Sequence, residues 1–146
     1  MSTVTVQSYI DKLADRFGQS DLYYGHGTDN PFDEAVYLVY GALALSFDAD
    51  ANSPGHMLTG SELCRLDELV EARLEQRIPV GYLVGKAWFA GHQFLCDPRA
   101  LIPRSPIAEL IDSKFQPLLK RAPIRVLDLC AGGGCIGISW ALRFPG

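Results

Sequence analysis

A glycine-rich segment near the end of the sequence combines an acidic residue with three consecutive glycines, an arrangement that can bind a ligand. It covers residues 126–137 and reads VLDLCAGGGCIG. Asp128 lies four positions before Gly132, the first of three consecutive glycines. Glycine permits a tight turn and a close approach of backbone to ligand, and the N-terminus of a following helix offers free N–H groups. The segment therefore predicts a cradle for a nucleotide-like ligand.

Two classes of ligand fit this segment. Residues 132–137 match the pattern G-x-G-x-x-G, which on its own is a weak indicator of a dinucleotide site. The spacing from Asp128 also resembles the first motif of methyltransferases that use S-adenosyl-L-methionine, which implies an acid near the cationic amino-acid end of the donor. A pyrophosphate at the helix N-terminus would be repelled by that carboxylate. Asp128 therefore favours the methyl donor over NAD, although a capping or turn role remains open.

The cradle needs a strand before the glycines and a helix after them. Residues 124–129 are apolar and partly β-branched, which predicts a buried strand, and residues 135–144 predict a helix. A complete Rossmann-like site needs a further strand with an acidic residue roughly 20 positions later. The printed sequence ends before that position, which predicts the front part of an enzyme. With both strand edges unpartnered, we expect residues 124–129 to be disordered, to pair in a dimer, or to repack on the helical domain.

Three amphipathic helices are predicted before this region. They cover residues 4–17, 31–45 and 61–76, each with apolar side chains at intervals of three or four. Asn30 suits the N-cap of the second helix, and Pro31 suits its first position. The three apolar stripes predict a small helical bundle.

The period of the pattern changes between the bundle and the cradle. Residues 84–90 and 92–96 are rich in aromatic and other residues that favour strands, and Gly91 separates them, which predicts a hairpin or a bent ribbon. Extended backbone is expected at 101–104, and a helix capped by Ser105 is expected to run to about residue 119. The predicted fold class is an α-helical N-terminal domain (1–80), a β-hairpin linker (81–104) and the start of a Rossmann-like α/β methyltransferase domain (105–146).

Composition narrows the function classes. A hydrophobic content of 48% and a charged content of 21% indicate a globular chain rather than a disordered one. A net charge of −4 argues against a broad nucleic-acid-binding face. No apolar run reaches membrane-spanning length and no secretory signal is evident, so we expect a cytoplasmic protein without membrane attachment. The four cysteines form no Cys-x-x-Cys pair, and the histidines are isolated, which predicts reduced thiols and no metal site.

The segment before the cradle carries a family signature. Residues 89–104 read FAGHQFLCDPRALIPR, which resembles the pattern F-x-G-x-x-F-x-V-x-x-x-V-L-I-P-R of the enzymes that methylate the side-chain amide of protein glutamines. Cys96 and Ala100 replace the two valines. The sequence SPIAEL after Arg104 and the sequence YGHGTDN at 24–30 resemble the branch that acts on the third protein of the large ribosomal subunit. The branch that acts on release factors has a Pro–acid–Thr–Glu run after the Pro-Arg pair.

This resemblance implies a function and a set of site residues. The implied reaction is N-methylation of a glutamine side-chain amide on a large-subunit ribosomal protein, which the helical domain helps to recognise. No direct nucleic-acid binding is expected. The residues implied in donor binding are Asp128, Cys130, Ala131, Gly132, Gly133, Gly134 and Arg104, with Cys130 in place of the first motif glycine. From its chemistry alone, the favoured interpretation of Arg104 is a surface salt bridge, for example to Glu109.

The resemblance also implies what this sequence lacks. The family's catalytic Asn-Pro-Pro-Tyr motif does not occur in it. No catalytic residue and no metal ligand is therefore assigned, and the chain is expected to be inactive by itself. A release-factor glutamine methyltransferase is the first alternative, and an NAD-dependent oxidoreductase is the second.

Overall fold

The helices and strands fall into two compact units. The computed structural model describes residues 4–46, 55–121 and 123–145, and these contain six helices and two strands. The first unit, Met1–Gly85, is here called the helical unit, and the second, Lys86–Gly146, the hairpin unit. In the described ranges, no helix is long and apolar enough to cross a membrane.

Local polar signals start the three long helices of the helical unit. Helix α1 (Val6–Gly18) begins after Thr5, which forms a capping box with Ser8. Helix α2 (Pro31–Leu43) begins after Asn30, whose side chain accepts a hydrogen bond from the Asp33 amide, as predicted. Helix α3 (Gly60–Glu75) begins after the capping box of Thr59 and Glu62. All three predicted helices are confirmed.

The core of the helical unit joins the apolar stripes of these helices. Phe17 and Leu38 are completely buried there, together with Leu66. A short helix that was not predicted, α4 (Val80–Val84), follows Pro79 and packs against α2 and α3. Five residues span little more than one helical turn, so they carry no readable period. The sequence alone gave no signal for this helix.

Helix α4 approaches α2 so closely that only glycine fits at position 41. A Cβ atom built on Gly41 would lie 2.8 Å from Val84 Cγ2 and 2.9 Å from Val84 Cβ. Valine is stiff at χ1 and cannot swing aside. We expect Gly41→Ala to lower the free energy of unfolding by about 1–3 kcal/mol through overpacking. Urea denaturation followed by circular dichroism measures the difference in the free energy of unfolding between the variant and the wild type.

A matched glycine in the same unit provides the control. Gly60 is also helical, but nothing lies within 4 Å of an added Cβ atom. Gly60→Ala should therefore be neutral or stabilising by up to about 1 kcal/mol, because alanine is the better helix former. Equal midpoints for the two variants would contradict the close packing of α4 on α2.

The hairpin unit opens with the predicted ribbon. Strands β1 (Lys86–Phe89) and β2 (His92–Leu95) are antiparallel, with Phe89 opposite His92. The two turn residues, Ala90 and Gly91, have φ of 46° and 75°. Positive φ at both positions is the mark of a type I′ turn, whose twist matches that of the strands. The prediction of a hairpin around Gly91 is confirmed.

Two helices complete this unit. Helix α5 (Ile107–Asp112) and helix α6 (Cys135–Arg143) pack around a small core of Phe89, Ile111 and Cys135. Helix α5 is shorter than expected and does not reach residue 119. The backbone leaves the helical region at Lys114 and Phe115, which have φ of 54° and 57°, and the Phe115 ring packs on Trp140 at 4.8 Å. Pro117 lies inside the expected helix, and a proline there disfavours helical backbone both at its own position and at the residue before it.

The strand predicted over residues 124–129 is not formed. Among the described residues of this unit, β1 and β2 are the only strands, and residues 125–128 have no regular structure. Ile124 is 99% exposed and Leu127 is 78% exposed. A strand needs a hydrogen-bonded neighbour for its N–H and C=O groups, and the β1–β2 ribbon does not supply one. The residue types of this run are those of a buried strand, but no neighbouring strand pairs with it in the described part of this unit.

Candidate functional site

The carboxylate of Asp128 is bonded to the start of helix α6. Asp128 Oδ2 accepts a hydrogen bond of 3.0 Å from the backbone N–H of Gly137, which is the third helical residue. The residue in the N-cap position, Gly134, has no side chain that could do this. Asp128 thus satisfies one of the free helical amides from outside the helix, and its negative charge lies at the positive end of the helix dipole. A Cβ atom on Gly137 would lie 3.3 Å from Oδ2, so glycine leaves room for this contact.

The loop between Asp128 and α6 uses glycine where the backbone requires it. Gly132 and Gly134 have φ of 56° and 75°, and the Gly134 amide closes a turn on the carbonyl of Ala131 at 2.8 Å. Cys130 also has a positive φ, 58°. L-residues avoid this region, which explains why the family pattern has glycine at the position of Cys130.

A cavity of about 320 Å³ opens beside this loop, at the lower end of the range for small-molecule sites. Gly132 and Gly133 form one wall. Nothing lies within 4 Å of a Cβ atom built on Gly132, so the backbone is open to the cavity at this point. The other wall comes from the segment after β2. The lining residues are Leu95, Cys96, Asp97, Arg99, Ala100, Leu101, Pro103, Gly132, Gly133 and Cys135.

One ion pair and two thiols set the polarity of this cavity. Arg99 donates to Asp97 through its side chain, with distances of 2.6 and 2.9 Å, and through its backbone amide at 2.9 Å. These hydrogen bonds lower the pKa of Asp97 to about 2, so the pair is ionised at neutral pH. Burial raises the pKa of both Cys96 and Cys135. Both thiols are therefore protonated at neutral pH and contribute no reactive thiolate.

The structure brings together only part of the predicted site. Gly132 and Gly133 line the cavity, and Asp128 lies at the start of the adjoining helix. Cys130, Ala131 and Arg104 are exposed and are not lining residues, and neither is Gly134. Ser105 accepts a hydrogen bond from the Ile107 amide at 3.2 Å, but the N-cap of helix α5 is Pro106, so the prediction of Ser105 as the N-cap is wrong by one position.

The cavity also contains residues that the sequence reasoning did not assign to the site. The signature at 89–104 contains three of them, Asp97, Arg99 and Pro103. It indicated a family, but it was not used to predict a cavity wall. The signature could have located this wall, because a segment that precedes a glycine loop in sequence can fold back beside that loop. In the described part of the chain, no three His, Cys, Asp or Glu side chains could hold a metal ion. The arrangement is suited to holding a small ligand with charged and apolar parts.

Comparison with known proteins identifies relatives that match along nearly the whole chain. The ribosomal protein uL3 glutamine methyltransferase of Burkholderia pseudomallei is 41% identical over 143 residues, which are 97% of this chain and 47% of the relative. The protein of the same name from Bordetella pertussis is 41% identical over 144 residues, or 97% of this chain and 48% of the relative. No family model matches the sequence.

These matches confirm the resemblance to ribosomal-protein glutamine methyltransferases that the motifs predicted. The chain spans about half the length of the curated relatives it matches. The matched region includes both the helical unit and the hairpin unit.

Proposed function

We propose that this chain, whose curated relatives are uL3 glutamine methyltransferases, is part of an enzyme of the same activity. The enzyme transfers a methyl group from S-adenosyl-L-methionine to the side-chain amide nitrogen of a glutamine on a large-subunit ribosomal protein. The observation that carries this proposal is the identity of 41% across 97% of the chain. Such a match covers the helical unit as well as the glycine loop, so it does not rest on a single motif.

The cavity beside the glycine loop fits the donor in chemistry. The open backbone at Gly132 lets a ligand approach closely, and the apolar wall provides contacts for the less polar parts of the donor. The sulfonium donor supplies the methyl group to be transferred. Asp128 and the Asp97–Arg99 pair provide charges of both signs near the cavity, as a ligand with an ammonium and a carboxylate requires.

The remaining assignments extend this proposal to the other predicted residues. Gly134, Ala131 and Cys130 shape the loop that carries Gly132 and Gly133, and so act on the donor through the backbone. Arg104 follows the extended segment that ends the cavity wall, and we assign to it a role in orienting the donor or the substrate. Arg104 is an exposed residue, and a guanidinium can bind a carboxylate or a backbone carbonyl.

We also infer that residues 124–129 become a central strand of a Rossmann-like sheet in the complete enzyme. The exposed apolar side chains support this, because Ile124, Val126 and Leu127 lie in solvent here without a function of their own. A sheet pairs both edges of such a strand and covers both its faces. In the family that the sequence resembles, an Asn-Pro-Pro-Tyr motif activates the amide nitrogen, and this sequence does not contain that motif.

The test is methyl transfer by the complete enzyme that contains this chain. We expect labelled methyl groups from S-adenosyl-L-methionine to appear on a glutamine of purified ribosomal protein uL3, located by mass spectrometry. A release factor presented in parallel should remain unlabelled. Transfer to the release factor alone would move the enzyme to the other branch of the family.

A calorimetric titration separates the cofactor classes. We expect S-adenosyl-L-methionine to bind the complete enzyme and NAD to give no heat beyond dilution. The carboxylate of Asp128 at the helix N-terminus disfavours a pyrophosphate there. Binding of NAD without binding of the methyl donor would contradict the proposed function.

A further inference from the structure

The charge of the chain is divided unevenly between its two units. The helical unit has 13 Asp and Glu residues against five Lys and Arg, a net charge of −8. The hairpin unit has four acidic and eight basic residues, a net charge of +4. The overall charge of −4 therefore conceals a strongly acidic unit. Such a surface repels nucleic acid and attracts basic proteins.

Within the acidic unit, one loop is held in place by a buried ion pair. The Arg73 guanidinium, which is 3% exposed, donates to the carboxylate of Glu34 and to the carbonyl of Tyr23 at 2.9 Å. The Thr28 hydroxyl donates to the same carboxylate at 3.0 Å. Two separate points of the loop are thereby fixed to one buried pair. The segment 21–33, which comprises the loop before α2 and the first three residues of that helix, is here called the anchored loop.

The anchored loop directs an aromatic ring into solvent. Tyr23 is 73% exposed although its carbonyl is fixed to Arg73, and its ring meets His26 edge-to-face at 5.8 Å. Phe32, at the start of α2, is also largely exposed. Rigid, exposed aromatic side chains are typical binding hot spots, because they offer a large contact area at a low entropy cost.

Three carboxylates belong to the same segment as this ring. Asp21, Asp29 and Asp33 are all exposed, and the Asn30 amide fixes two of them by donating to Asp29 at 2.8 Å and to Asp33 at 2.7 Å. The guanidinium of Arg77 donates to the backbone carbonyl of Asp21. A segment that exposes both an aromatic ring and carboxylates suits lysine and arginine side chains through cation–π and ionic contacts.

We propose that the anchored loop is the docking surface for a lysine- and arginine-rich segment of the protein substrate, with Tyr23 as its aromatic anchor. The inference rests on the proposed function, because it takes a ribosomal protein as the partner. Proteins that associate with RNA carry net positive charge, and this complements the charge of −8 on the helical unit.

The test measures the affinity of the complete enzyme for purified ribosomal protein uL3 by calorimetry at low and at high salt. We expect Tyr23→Ala to raise the Kd for uL3 about tenfold, as removal of an aromatic hot spot does. Tyr23→Phe should retain most of the affinity because it keeps the ring. Wild-type binding should weaken at high salt, and an Asp21→Asn, Asp29→Asn double variant should show a smaller salt dependence.

Met57 provides the matched control. It is an apolar side chain of the same unit with 48% exposure, and it lies outside the anchored loop. Met57→Ala should leave the Kd for uL3 unchanged. The Kd for S-adenosyl-L-methionine should be the same in all these variants, which separates loss of docking from loss of folding.

Two outcomes would overturn the inference. One is an unchanged Kd for uL3 in the Tyr23→Ala variant. The other is a change in the sedimentation coefficient of that variant with no change in its Kd for uL3, which would make the loop a self-association surface. Failure of the proposed function looks different, because the wild-type enzyme would then methylate no glutamine of uL3.

Discussion

Replacing Arg73 by methionine lowers the free energy of unfolding by about 3–5 kcal/mol, the largest effect expected in this chain. The substitution preserves much of the side-chain volume but removes the guanidinium, and the buried Glu34 carboxylate then keeps the hydrogen bond from the Thr28 hydroxyl without its charged partner. It also removes the donor to the Tyr23 carbonyl. An uncompensated buried charge costs far more than the pair contributes when both members are present.

A double replacement separates the cost of the orphaned charge from the value of the ion pair. Arg73→Met combined with Glu34→Leu should be less destabilising than Arg73→Met alone, because no buried charge is then left without a partner. Urea denaturation of the 146-residue chain, followed by circular dichroism, gives the free energies. Equal destabilisation in the single and double variants would show that the loss comes from packing or from the Tyr23 bond.

The chain offers an exposed ion pair as the control. Arg16 and Glu71 join α1 to α3 through a contact of 2.9 Å, with side chains about half exposed. The chemistry is the same, but water already solvates both groups. Arg16→Met should therefore cost no more than about 1 kcal/mol. A similar loss for the Arg16 and Arg73 variants would contradict the burial argument.

Arg73 also shows which parts of the fold can be predicted from sequence patterns. Its position, three residues after the buried Val70, lies on the apolar face of α3, yet a charged residue there was not predicted to be buried. Burial of an arginine depends on a partner 39 positions away, and periodicity does not contain that information. Caps such as Asn30 and the turn at Gly91 were predicted correctly because their physics is local.

The features of the candidate site also divide into those that depend on neighbouring residues and those that depend on residues distant in sequence. The glycine loop and helix α6 were predictable because positive φ and helix starts depend on adjacent residues. The cavity wall formed by Asp97 and Arg99 was not, because it requires the segment after β2 to return beside the loop. For residues 124–129 the sequence predicted a strand that the structure does not form. Their composition is that of a strand, but strand pairing depends on partners distant in sequence.

Replacing Asp128 by asparagine should weaken donor binding by the complete enzyme about tenfold to a hundredfold, while the stability of the hairpin unit is nearly unchanged. The asparagine side chain keeps an oxygen that can accept the Gly137 amide, so helix α6 retains its cap. It lacks the negative charge that we assign to the cationic end of the donor. Loss of a hydrogen bond to a charged group corresponds to about 1.5–3 kcal/mol, which gives this range.

Asp128→Ala distinguishes the two roles of this residue. Alanine removes both the charge and the acceptor, so it should weaken donor binding as asparagine does and also destabilise the chain by about 0.5–2 kcal/mol. Calorimetric titration of S-adenosyl-L-methionine gives the affinities, and urea denaturation gives the stabilities. If Asp128 only caps helix α6, the asparagine variant will bind the donor as tightly as the wild type does. Because the carboxylate is bonded to the Gly137 amide here, only this pair of substitutions separates its charge from its acceptor oxygen.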